Sequence, residues 1–127
     1  MTFEKLTPML RTWDLPGSIA FYTEVLGFEC RAASEEWGWA SLASDRAEVM
    51  LSAPNAHEGD VKPAFTGSLY FRVDDVDALW RKLQSLGPSR FKLCYPLEDF
   101  DYGMREFAIY DPNGYILQFG QERPATT

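Results

Sequence analysis

The run Arg105 to Gln121, REFAIYDPNGYILQFGQ, carries one residue out of keeping with its neighbours. Gln118 stands in the middle of the otherwise apolar YILQFG, a place where many sheet-lined sites carry a metal-binding carboxylate. An amide there both donates and accepts but bears no charge, so it can orient a ligand without holding an ion. Just upstream, LEDFDYGMREF sets Glu98, Asp99 and Asp101 beside Phe100 and Tyr102. This acidic, aromatic loop either suits a cationic ligand or is simply solvated. Trp37 and Trp39, two apart in EEWGWAS, are expected to share a strand face with Ser41. Their indoles would stack on a heteroaromatic ring or a cation, or else serve packing or a dimer contact.

No nucleophile stands out. The single histidine, His57, has no acidic neighbour placed to orient it, and neither a Gly-x-Ser-x-Gly elbow nor a phosphate-cradling glycine loop occurs. Hydrolase chemistry is thereby disfavoured, while a metal-free acid–base enzyme using Glu106 or Asp101 stays open. Cys30 and Cys94 lack the spacing of a zinc ribbon or redox motif and read as buried free thiols. A net charge of −7 with scattered basic residues gives no stripe for a nucleic-acid backbone. The absence of a leader-like or membrane-spanning apolar run predicts a soluble, cytoplasmic protein with no membrane partner.

These residues need a scaffold, and the chain of 127 residues supplies one by repetition. LRTWDLPGSIAFYTEVLGF and FRVDDVDALWRKLQSLGPS each read as a short strand, an Asp, an amphipathic helix and a Leu-Gly stop. Asp14 and Asp75 are placed to cap the helices, and Gly27 and Gly87 to end them. Ile19, Tyr22, Val25 and Leu26 form one helical stripe; Val76, Leu79, Trp80, Leu83 and Leu86 form the other. Strand-like WGWASLAS and EVMLSA follow the first helix, REFAIY and YILQFG the second, with turns at Asp45 and at Asp111-Pro112-Asn113-Gly114. The reading is an α+β fold of two tandem βαβββ units in a single domain over 1–127. The first unit spans about 4–55, a linker about 53–66 and the second unit about 67–122. Curved sheets of this kind leave a concave face for a ligand.

The stretches WDLPGSIAFYTEVLGF, LYFRVDDVDALWRKL and MREFAIYDPNGYILQF, in this order, resemble the vicinal-oxygen-chelate superfamily of glyoxalase I, extradiol dioxygenases and bleomycin-resistance proteins. REFAIYDPNGYILQF, preceded by Gly103 and Met104, is closest to the bleomycin-resistance branch. In the superfamily's metal enzymes, the resemblance implies, ligands fall on Thr7, Met50, Ser68 and Gln118. None of these is a carboxylate or an imidazole, so no metal and no cofactor is expected. In relatives with two short units per chain, each cleft forms between units of two chains, which implies a homodimer.

Strand alternation puts Thr7, Met9 and Arg11 on one face, as it does Ser68, Tyr70 and Arg72, Met50 with Ser52, and Ile116 with Gln118. Leu10, Leu69, Phe71, Val73, Leu117 and Phe119 would pack under the helices. The cup is then expected to be mildly polar and uncharged, lined by Trp37, Trp39, Met50, Ser68, Tyr70, Tyr102 and Gln118. The function expected is sequestration of a small aromatic or cationic, antibiotic-like molecule, with no bond broken. The alternative is a lyase, isomerase or dioxygenase of the same superfamily using a divalent metal.

Overall fold

Asp14 and Asp75 each cap a helix, as their positions predict. In a computed structural model of the chain, which describes residues 1–54, 62–65 and 67–124, Asp14 Oδ1 accepts from the Gly17 amide and Asp75 Oδ1 from the Ala78 amide, both at 3.0 Å. Each bond satisfies one of the N–H groups that the first turn of a helix leaves without a partner. Gly27 and Gly87 follow the last turns at φ 78° and 92°, where a side chain would be strained.

The chain divides into two units, Met1–Ala64 and Phe65–Thr127. The first runs β1 (Met9–Arg11), α1 (Leu15–Ala20), a π-helical turn (Phe21–Val25), β2 (Glu29–Ser34), β3 (Trp39–Ser44) and β4 (Ala47–Ser52). Its sheet has the order β1-β4-β3-β2, with β1 parallel to β4. The second runs β5 (Ser68–Arg72), α2 (Val76–Leu86), β6 (Lys92–Asp99), β7 (Met104–Tyr110) and β8 (Ile116–Glu122). It repeats the layout as β5-β8-β7-β6, with β5 parallel to β8. The α+β class and the tandem βαβββ units are as expected from the repeat.

Of the first helical stripe, Tyr22, Val25 and Leu26 are buried as expected and Ile19 alone is not. After Ala20 the backbone widens to an i to i+5 bond, Leu26 N to Phe21 O at 3.4 Å, so Ser18, Phe21, Tyr22, Val25 and Leu26 are buried and Ile19 lies at the edge. Ser18 is tied to the strand side by a 2.8 Å bond to the buried Thr12 hydroxyl. In the second unit the expected stripe holds, with Val76 and Leu83 fully buried.

Under α2 the apolar face of the sheet is an aromatic column. Phe107 lies 5.1 Å from Trp80 and 5.2 Å from Phe119, which in turn stacks on Phe71 at 5.2 Å. Each such pair contributes about 0.5–1.5 kcal/mol beyond the area it buries. With Phe107, Phe119 and Leu117 turned to the helix, the alternate residues of β7 and β8 must face away from it. That places Gln118 on the face predicted for it.

Candidate functional site

The face of the second unit that turns away from α2 is set by the strand register. Tyr70 lies opposite Gln118 and Arg72 opposite Gly120 on β5 and β8. Ala108 pairs with Gln118 and Glu106 with Gly120 on β7 and β8, while Tyr95 pairs with Ala108 and Glu98 with Glu106 on β6 and β7. Residues directly opposite one another point to the same side, so Tyr70, Tyr95, Glu106 and Gln118 converge.

Glu106 is their centre and is fully buried. Its Oε1 accepts from the Tyr70 hydroxyl at 3.0 Å, and its Oε2 accepts from the Tyr95 hydroxyl and, at 3.3 Å, from Gln118 Nε2. Gln118 Nε2 also donates to the Tyr95 oxygen at 2.8 Å, and its Oε1 accepts from the Ser68 hydroxyl at 2.5 Å. With donors on both oxygens, Glu106 serves as an acceptor-only carboxylate. Among the described residues no buried side-chain polar atom lacks a partner.

The phenols answer to this arrangement. Burial first, and then the bond to Glu106, push Tyr70 up to about 12. Tyr95 is raised as well, chiefly by burial. Tyr102 sits in the turn after β6, with its ring stacked on Phe100 at 5.4 Å. Although 64% exposed as a residue, it is pushed up to about 12 by desolvation and then by the nearby Glu106. Tyr70 and Tyr95 are held as donors turned inward to Glu106, while the Tyr102 ring stays largely exposed.

Tyr70 reaches Glu106 by crossing β8 above Gly120. A Cβ at position 120 would lie 1.9 Å from the phenol oxygen. The glycine is therefore required by the crossing, and a glycine inside a strand is the sequence signal of such a close approach.

The first unit has a smaller counterpart. Glu48 on β4 accepts from Thr7 at 3.0 Å and Ser41 at 2.6 Å, and pairs with Lys5 at 2.6 Å. These partners, Lys5 foremost, lower its carboxyl to about 2. Trp39, Ser41, Met50 and Ser52 share this face through the β3–β4 register.

Several expectations need correction. The face around Gln118 is not uncharged, because Glu106 lies on it; the Glu-Phe alternation of β7 buries the carboxyl on one side and the ring on the other. Trp37 is not on a strand face with Trp39. It lies in the turn before β3, 79% exposed, because Gly38 adopts a positive φ there. Nor is LEDF a loop: Glu98 and Asp99 end β6. Asp99 is moreover engaged by Arg105 at 3.1 Å, and Arg105 also pairs with Asp77 at 2.9 Å. Ser68, Tyr70, Tyr102 and Gln118 are brought together around Glu106, whereas Trp39 and Met50 belong to the first unit's sheet face. His57 lies outside the described residues.

The four positions matching the superfamily's metal ligands offer two hydroxyls, a thioether and an amide. Thr7, Ser68 and Gln118 are already bonded within their own units. Such a donor set does not fit a divalent ion, which calls for ionised or imidazole ligands. Among the described residues no three or more His, Cys, Asp or Glu gather to hold one.

The fold is one that known proteins share. A family model described as Glyoxalase/Bleomycin resistance protein/Dioxygenase superfamily matches residues 6–119. A bleomycin resistance protein of Geobacillus stearothermophilus is 26% identical, over 91% of this chain and 94% of its own length. A probable lactoylglutathione lyase of Vibrio parahaemolyticus is 30% identical, over 95% of this chain and 92% of its own. Among solved structures, a bleomycin resistance determinant encoded on the transposon Tn5 is similar at a TM-score of 0.74 and 26% identity, covering 96% of this chain and 100% of that one.

Proposed function

The chain belongs to the Glyoxalase/Bleomycin resistance protein/Dioxygenase superfamily, and on that premise we propose that it is a metal-independent binding protein that sequesters a small cationic or aromatic molecule of antibiotic type. The observation that carries this reading is the state of Glu106. It is fully buried and both of its oxygens are engaged as acceptors by side chains of its own unit, so neither is presented to a substrate as a base. The phenols around it are pushed up in pKa and are poor bases at neutral pH. What the second unit offers a ligand is a surface of rings and acceptor oxygens; the first unit's sheet face carries Trp39 and Met50, suited by themselves to stacking and apolar contact. The 26% identity to a bleomycin resistance protein supports the same class of ligand.

A second reading is favoured by the 30% identity to a probable lactoylglutathione lyase. It requires a divalent metal, and metal content separates the two. Protein grown in turn with Ni, Zn, Fe and Mn should retain none of them at about one ion per site by elemental analysis. Stoichiometric retention of any one, with glyoxalase activity, would overturn the binding function.

The protein is further proposed to act as a homodimer in the cytoplasm. Each sheet carries its helix on one face only, leaving the other for a partner or ligand. Cys30 and Cys94 are free thiols, but Cys30 is exposed on the outer strand β2 and Cys94 only half-buried, where both were expected to be buried; free thiols suit a reducing compartment. No helix among the described residues is long and apolar enough to cross a membrane.

A further inference from the structure

The two oxygens of Glu106 are held differently. Oε2 receives Tyr95 and Gln118, which are bonded to each other, and both side chains are half-buried. Oε1 receives Tyr70, which arrives from β5 across β8 and remains 38% exposed. Beneath Tyr70 the strand is bare: a Cβ on Gly120 would lie 1.9 Å from the phenol oxygen and 2.7 Å from the carbon that bears it. The phenol thus fills a trough that has no side chain for a floor. A cavity of about 240 Å³, lined by Arg72, Val73, Met104, Gly120, Gln121 and Glu122, opens at the Gly120 end of the trough. Glu98 and Glu106 face each other across β6 and β7, and Glu122 pairs with Met104 on the same side, against the single guanidinium of Arg72. That guanidinium already rests over the Tyr70 ring at 5.6 Å.

We propose that this trough is a cation subsite in which Tyr70 stands in for the ligand: the phenol swings off Glu106, and a primary ammonium or guanidinium group of the bound molecule takes the Oε1 bond above Gly120. This rests on the binding function proposed above and names the chemical group it reads. A charged donor bonds to a carboxylate about twice as strongly as a neutral one, so it can displace the phenol where an alcohol only exchanges like for like. An anion would meet three carboxyl groups with one Arg72 to offset them. Tyr70 is the partner able to leave, because Tyr95 and Gln118 brace each other and keep Oε2 occupied while Oε1 changes hands.

Agmatine, which carries both an ammonium and a guanidinium, tests the proposal directly. It is titrated into ¹⁵N-labelled protein while the Gly120 amide is followed by NMR, with 1-butanol and butyrate as neutral and anionic controls. Agmatine alone should shift the Gly120 amide to saturation. Tyr70→Phe removes the competing hydroxyl and should tighten agmatine binding about three- to tenfold, the equivalent of one ordinary hydrogen bond. Gly120→Ala fills the trough and should abolish the effect; if that variant does not fold, Tyr70→Phe decides alone. The proposal is overturned if Tyr70→Phe weakens binding, since the phenol would then be a contact and not a stand-in, or if agmatine leaves Gly120 unmoved. Should metal-free bleomycin bind while agmatine leaves Gly120 unmoved, the subsite fails and the binding function stands. If neither binds, both fail.

Discussion

Tyr70 bonds to Glu106 from two strands away, and it does so over Gly120, the one point on β8 where a side chain would block it. The three residues form a single device. The glycine makes room, the tyrosine crosses, and the carboxyl receives. Gly120→Ala should therefore destabilise the protein by about 1–3 kcal/mol through overpacking and loss of the Tyr70 bond. In a Tyr70→Ala background the same change should cost little, so a urea-denaturation cycle should return a coupling of similar size. Additive costs would mean that Gly120 serves the backbone and not Tyr70.

Glu106→Gln is a conservative change in volume but not in bonding. The new NH₂ turns a donor toward groups that are themselves donors, so at least one of Tyr70, Tyr95 or Gln118 loses its acceptor. A cost of about 1–3 kcal/mol follows for a buried group left unsatisfied. Glu98→Gln, on the exposed edge strand β6, should stay within about 0.5 kcal/mol. Equal effects at the two positions would contradict the network.

Stability should fall at both ends of the pH scale for different reasons. Tyr70 is raised from 10.0 to about 12, first by burial and then by its bond to Glu106. Its contribution is complete below pH 10, where the unfolded chain also keeps the proton, and is lost as pH rises through about 12. Glu48 is lowered from 4.5 to about 2 by Lys5, Ser41 and Thr7. Its contribution is present above pH 4.5 and lost as pH falls through about 2. Thermal melts across pH should show Tyr70→Phe flattening the alkaline limb and Glu48→Gln the acid limb; exchanged effects would contradict these assignments.

Light scattering at micromolar concentration should give about 29 kDa, twice the 14.5 kDa of one chain. A monomer at that concentration would contradict the proposed dimer.

Much of this was legible in the sequence, because the signals were local. Asp14 and Asp75 precede helices by the spacing that capping requires, and the alternation of β8 put Gln118 on the face opposite Leu117 and Phe119. Glu106 is visible in the sequence as a candidate acid–base group, but its place at the centre of a network depends on residues far apart in the chain. Tyr70, 36 positions earlier, and Tyr95, 11 earlier, arrive at its oxygens only in the fold. The one available clue was Gly120 in a strand interior, which marks close approach by another group. Trp37 misled because two-residue spacing implies a common face only within a strand, and Gly38 ends that condition. Glu48 was in phase with Met50 all along, but its three partners come from β3 and the segment before β1.

The central claim is capture of a ligand without a metal, and one titration tests it most directly. Metal-free bleomycin is added to chelator-treated protein while tryptophan fluorescence is followed, with the same titration on a Trp39→Phe variant and on protein supplied with Zn or Ni. The account predicts saturable binding that is unchanged by chelation or by added metal, recovery of the ligand intact, and a response that is reduced in Trp39→Phe. Binding that appears only when metal is supplied, or a ligand recovered chemically altered, would contradict it.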